Sequence, residues 1–124
     1  MIRTLDIARD DRAPLTARRE IDGMTGGIDA DVMDDARLLV TELVSNSVRH
    51  GAGDVVRLIV DTPVPGRLRC EVIDEGSGFL PVARSGAAEE AGGWGLHLVE
   101  TLSDSWGVRE GSTHVWFELA PRRA

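Results

Sequence analysis

Three short stretches of this chain place groups that could bind a ligand. In LLVTELVSNSVRHG, residues 38–51, Glu42, Asn46 and His50 recur at intervals of four among apolar neighbours. Four residues advance a helix by about 6 Å and nearly a full turn, so a carboxylate, an amide and an imidazole would project in one direction. Asn is a poor helix former with no capping role in mid-helix, so Asn46 needs another reason to be there. In DEGSG, residues 74–78, Asp74 presents a carboxylate directly after an apolar run, and Gly76 and Gly78 let a ligand approach the backbone. In GGWGL, residues 92–96, glycines precede a helical pattern whose free N–H groups would suit an anion such as phosphate. Singly, each also fits a plainer reading: a solvated helical stripe, an ordinary Asp-Gly turn, a glycine-bearing helix start.

The elements that must carry these groups follow from periodicity and punctuation. IRTLDIA at 2–8 reads as a first strand, and Pro14 opens a helix over residues 15–23. Gly26 and Gly27 break it, Asp29 or Asp31 caps a long helix to His50, and Gly51 is its expected terminator. VVRLIVDT and LRCEVID, joined across PVPG, predict an antiparallel hairpin. Residues 75–93 keep no period and read as a loop long enough to be a functional lid. Helical spacing returns at Leu96, Leu98, Val99 and Leu102, and SWGVRE and THVWFELA close the chain as a hairpin around Gly111. This order predicts an α+β fold, a two-layer sandwich with helices on one face of a mixed, mostly antiparallel sheet.

Composition narrows the function. A chain of 124 residues, 42% hydrophobic, supports one domain with a real core, here residues 1–124. Its formal charge is -7 and its fourteen basic residues are all Arg, which argues against binding nucleic acid or an anionic membrane. Cys70, the single cysteine, reads as a small buried hydrophobe in a strand. The N-terminus lacks a signal-like apolar run and no segment approaches the roughly 20 apolar residues of a membrane span, so a cytoplasmic protein is expected.

Together, in this order and separated by a lid-length loop, the three stretches resemble the GHKL superfamily of ATP-binding domains, shared by histidine kinases, DNA gyrase and MutL. ELVSNSVRH resembles the family's N box, DEGSG its first glycine box and GGWGL its second. The wording ELVSNSVRHG and the helix GLHLVETLSDSWG are most similar to the stand-alone anti-sigma factor serine kinases of the RsbW type.

The resemblance implies a GHKL-type sandwich and assigns roles. Asn46 would ligate Mg²⁺, Glu42 would be the catalytic base, and Asp74 would accept a hydrogen bond from the adenine amino group. Gly76 and Gly78 would floor the base pocket, and Gly93, Gly95 and Leu96 would form the lid hinge and the amides that receive phosphates. His50 would lie near the phosphates or else engage the last carbonyls of its helix. Arg84, in the lid at about 79–93, would touch a phosphate or be solvated, and Trp94 would cover the nucleotide or anchor the lid. Trp106 and Trp116 are expected in core or interface.

The implied activity is that of an ATP- and Mg²⁺-dependent serine/threonine protein kinase that acts as an anti-sigma factor, holding a sigma factor and phosphorylating an anti-sigma factor antagonist, with a homodimer as in relatives. The competing expectation is a nucleotide-dependent module that binds partners without transferring phosphate. A catalytic domain excised from a larger sensor kinase is disfavoured by the Met1 start and the short tail PRRA.

Overall fold

The computed structural model describes residues 2–23, 28–64, 66–76, 94–108 and 114–121, with backbone alone for 94–97. Along the chain run β1 (Ile2–Ala8), α1 (Ala13–Asp22), α2 (Ala30–His50), β2 (Val55–Asp61), β3 (Leu68–Ile73), α3 (Trp94–Leu102), β4 (Ser105–Val108) and β5 (Val115–Leu119). The strands form one five-stranded sheet in the order β1-β2-β3-β5-β4. The sequence allowed a mixed sheet; every strand pairing among the described residues is antiparallel. The reason lies in the last crossover: α3 and β4 intervene after β3, so the β4–β5 hairpin brings β5 back beside β3 running the opposite way.

Alternation decides which face of the sheet is covered. In β3 and β5 every second residue is buried, and the buried set Leu68, Cys70, Val72, Val115, Phe117 and Leu119 joins Val56, Leu58 and Val60 of β2 on one face. Onto that face α2 lays Val32, Met33, Ala36, Leu39, Val40, Leu43 and Val44, spaced three and four apart. Ala13, Ala17 and Ile21 of α1 and Val99 of α3 complete the same core. The thiol of Cys70 is fully buried, and desolvation by that burial, with the adjacent Glu71 charge, pushes its pKa far up, so it stays protonated.

The other sheet face is held by paired charges. Arg57 bonds Asp6 across β1 and β2, and Arg67 and Arg69 converge on Glu118. Arg69 also lies over the Trp116 ring, 4.4 Å from its centroid. Trp116 fits flat because its cross-strand neighbour is Gly107, where an added Cβ would run into the indole. Trp106, one residue earlier on β4, instead packs against the helix-side core. The two tryptophans thus serve opposite faces of the hairpin.

Local signals differ in detail from the expected boundaries. Pro14 does lie in the first turn of α1, which starts at Ala13, two residues before the expected Leu15. Asp29 is the N-cap residue of α2, yet its side chain makes no cap hydrogen bond. Gly51 ends α2 with φ -83 and extended backbone, so the left-handed freedom of glycine is not what the position uses. Its actual constraint belongs to the site described next.

Phe117, fully buried in the middle of β5 opposite Cys70 and Trp106, is the largest such side chain. Phe117→Ala should destabilise the fold by about 3–5 kcal/mol, measured by urea titration, a large share of a typical domain's stability. A change under about 1 kcal/mol would show that this core is not packed as described.

Candidate functional site

The buried stripe of α2 does not end on an apolar residue. Leu43 and Val44 are followed, four and three positions later, by Ser47, the only buried polar residue among those described, at 5% exposure. A hydroxyl in that position needs a partner, because an unsatisfied buried donor costs about 1–3 kcal/mol. The partner is Asp74: Ser47 Oγ donates to Asp74 Oδ2 at 2.5 Å. Asp74 follows the last residue of β3, so this one bond ties the helix to the sheet end.

The carboxylate is fixed from two further sides. Gly76 donates its backbone N–H to Asp74 Oδ1 at 2.6 Å, which curls the DEG segment around its own aspartate in an Asx turn. Gly51 passes so close that an added Cβ would collide with the Asp74 carboxylate and with the carbonyl of Ser47. Glycine at 51 is therefore a matter of space. The neighbouring loop is stitched to the strand end by Glu75, whose N–H donates to the Ala52 carbonyl at 3.0 Å. Gly53, with φ +90, takes a left-handed turn beneath the Glu75 side chain, a conformation that costs other residues about 1–2 kcal/mol.

On the α2 stripe, Glu42 and Asn46 are half-buried and lie one turn apart, and His50 is exposed at the last helical residue. Asn46 Oδ1 accepts a hydrogen bond from Arg49 Nη2 at 2.8 Å. Its amide oxygen is thus presented outward and already attracts a cationic head. Asn46 and Ser47 are consecutive, so the outward amide and the inward hydroxyl leave the same turn on adjacent lines. Two carbonyls near the helix end have partners: Ser47 O accepts from Gly51 N–H at 2.8 Å and from Arg9 Nη1 at 2.9 Å, and Val48 O from Arg9 Nη1 at 3.2 Å. Arg9 and the Gly51 N–H thus satisfy the carbonyls of Ser47 and Val48.

Two segments predicted from sequence are therefore joined directly: the end of α2 with Glu42, Asn46 and His50, and the end of β3 with Asp74 and Gly76. Trp94, Gly95 and Leu96 form the first turn of α3, and α3 packs against α2. Gly78, Arg84, Gly93 and the lid at 79–93 lie outside the described residues.

Among the described residues no group of three or more His, Cys, Asp or Glu could hold a metal ion. A self-contained metal cage is therefore not formed by them. A single outward amide oxygen fits Mg²⁺ in its usual nucleotide-bound manner, where phosphates and water supply most of the ligands. In that arrangement Asn46 Oδ1 would hold the ion, and Arg49 would give up its place there.

Sequence reasoning missed Ser47, Gly51 as a spacing residue, and Arg9. Ser47 carried a readable signal, a hydroxyl on the buried period of a helix. Arg9 carried none, since its carbonyl partners stand 38 to 44 residues away in sequence.

Residues 8–119 match the family model of the histidine kinase-like ATPase domain. Among solved structures, the chain is similar to the RsbU and RsbW domains of Rv1364c from Mycobacterium tuberculosis, with a TM-score of 0.70 at 22% identity over 98% of this chain. It spans 32% of that longer chain. A comparison with curated proteins returns no match. The family model and the fold agree, and the chain belongs to the histidine kinase-like ATPase domain family.

Proposed function

We propose that this protein, as a single domain, binds ATP with Mg²⁺ and acts as a serine/threonine protein kinase of the anti-sigma type, phosphorylating an anti-sigma factor antagonist and restraining a sigma factor. The supporting observation is the joining of α2 to β3 through Ser47 and Asp74, which places an oriented carboxylate beside the helix bearing Glu42 and Asn46. The RsbW domain of the similar solved structure supports the anti-sigma reading.

In this reading Asp74 accepts a hydrogen bond from the adenine amino group, and Ser47 and Gly76 hold the carboxylate in the orientation that does so. Purines bearing a carbonyl at that position would present an acceptor to an acceptor and bind poorly. Gly51 keeps the space beside the carboxylate open. At the other end, Glu42 takes the proton of the acceptor serine as its oxygen bonds to the γ-phosphorus and the bond to the β–γ bridging oxygen breaks, leaving ADP. Asn46 would hold Mg²⁺, which would supply charge neutralisation there. With no lysine in the chain, arginine and backbone amides must carry the remaining phosphate charge. The exposed Arg49, released from Asn46, is placed to be one of those arginines.

Calorimetric titration of ATP with Mg²⁺ should show that Asp74→Asn weakens binding by about tenfold or more, the scale of losing a hydrogen bond to a charged group, and that Asn46→Ala weakens it by a similar factor through loss of a metal ligand. No binding to the wild-type protein would rule out the ATP reading. Glu42→Ala should keep nucleotide affinity within about threefold while slowing transfer of radiolabelled phosphate to a cognate antagonist by about 10²–10⁴. If sigma regulation in cells survives Glu42→Ala unchanged, the protein works as a nucleotide-dependent binding module and transfer is dispensable. Arg49→Ala should raise the affinity of the nucleotide complex for Mn²⁺, followed by electron paramagnetic resonance, by about two- to fivefold, because an exposed competitor for the amide oxygen is gone. A lowered affinity would instead make Arg49 a residue that orients the Asn46 amide for the metal.

A further inference from the structure

Arg9 sits in the turn after the edge strand β1, yet it binds the far end of α2 and the loop that follows. Its Nε donates to the Gly53 carbonyl at 2.7 Å, and its Nη1 donates to the carbonyls of Ser47 at 2.9 Å and Val48 at 3.2 Å. Its own backbone N–H donates to the Asp54 carbonyl at 2.9 Å. The last carbonyls of a helix have no partner within the helix and carry its negative partial charge, so a guanidinium there is favoured twice over. A planar fork reaches two helix carbonyls and a loop carbonyl together; an ammonium on a flexible stem cannot hold the same three directions at once.

What distinguishes this clamp from an ordinary helix cap is the residue it grips. Ser47 is held through its carbonyl by Arg9 and through its hydroxyl holds Asp74. Gly53, the second point of the clamp, belongs to the loop in which Gly51 abuts the Asp74 carboxylate and Ala52 accepts from Glu75. Arg9 therefore binds both of the segments that hold Asp74.

We infer that Arg9 is a positioning residue for purine selection: it touches no ligand, and it holds the Ser47–Asp74 pair in the orientation that reads the adenine amino group. The inference rests on the reading of Asp74 as the adenine acceptor. Without the clamp the last turn of α2 frays, the Ser47 hydroxyl leaves the carboxylate, and Asp74 turns toward water. Affinity for ATP then falls more than affinity for ITP, which never used the carboxylate productively.

The test compares wild type, Arg9→Met and Arg9→Lys, with Arg57→Met as the control for loss of a structural arginine whose partner is the exposed Asp6. Two quantities are read. The first is the ratio of ATP to ITP affinity, by competition against a fluorescent ATP analogue. The second, in the nucleotide-free protein, is amide hydrogen exchange at Gly76, whose N–H donates to Asp74, relative to Val60 and Val72 in the sheet.

Arg9→Met is expected to lower the ATP:ITP ratio by at least about fivefold and to speed Gly76 exchange by about tenfold relative to the sheet amides, with Arg57→Met leaving both unchanged. Methylguanidinium added to Arg9→Met should restore part of the ratio. If Arg9→Met does not fold, Arg9→Lys should show the same two changes at smaller size. An unchanged ratio together with Gly76 and sheet amides shifting in parallel would overturn the inference and leave Arg9 a general stabiliser. A wild-type ratio near one would sink the adenine role of Asp74, whereas the exchange at Gly76 would still report whether Arg9 holds that aspartate.

Discussion

The hydrogen bond from Ser47 to Asp74 is the junction on which the candidate site depends. A helix lying on a sheet is normally held by apolar contact alone, which is strong but has little direction. Apolar packing tolerates small slides of α2 along β3, and such a slide would change how residues 42 and 46 stand relative to residue 74. A buried donor and a carboxylate acceptor convert that tolerance into a fixed register, because breaking the pair leaves the buried Ser47 hydroxyl without its partner. The rest of the architecture can be understood as protecting this bond. Leu43 and Val44 seat the preceding turn on the core, Gly76 holds the other carboxylate oxygen, and Gly51 yields the space the carboxylate occupies.

The same junction explains why two glycines with different conformations flank the helix end. Gly51 is extended and is constrained by what lies beside it; Gly53 is left-handed and is constrained by its own backbone. Between them the chain leaves a helix, skirts a carboxylate and enters β2 within four residues. A site built at such a corner is stitched by backbone groups, the carbonyls of Ser47, Ala52 and Gly53 accepting and the N–H groups of Gly51 and Glu75 donating. It also acquires a vulnerability, since the carbonyls at the end of α2 must be satisfied for the corner to keep its shape. Arg9 and the Gly51 N–H satisfy two of them.

Much of this was legible in the sequence, for identifiable reasons. β2, β3 and β5 alternate cleanly and α2 repeats at three and four, so the order of elements and the helix-covered sheet followed from periodicity. Antiparallel pairing throughout was not legible, because it depends on where β5 inserts, which no local pattern encodes. Asp74 and Gly76 were visible as a turn after a strand. Gly51 was visible only as a helix terminator, and its actual reason, a carboxylate 23 residues downstream, is a tertiary fact. Arg9 lay below any sequence signal, because a guanidinium that binds carbonyls needs no particular partner residue type.

That asymmetry has a physical basis that bears on how such sites are recognised. Residues that face a ligand must have particular chemistry at particular spacing, so Glu42, Asn46 and Asp74 stand out from their surroundings. Residues that hold them in place act on backbone groups, and backbone groups are the same at every position. Ser47 falls between the two classes: its hydroxyl has a side-chain partner, so its type is constrained, and it sits on an apolar period, so the constraint shows. A serine, threonine or small polar residue interrupting the buried stripe of a helix is therefore informative even without a motif, because burial obliges it to find a partner and the partner's position fixes the fold nearby. Here the partner is the aspartate that the turn after β3 presents, and the helix and strand that carry the candidate chemistry meet at that bond.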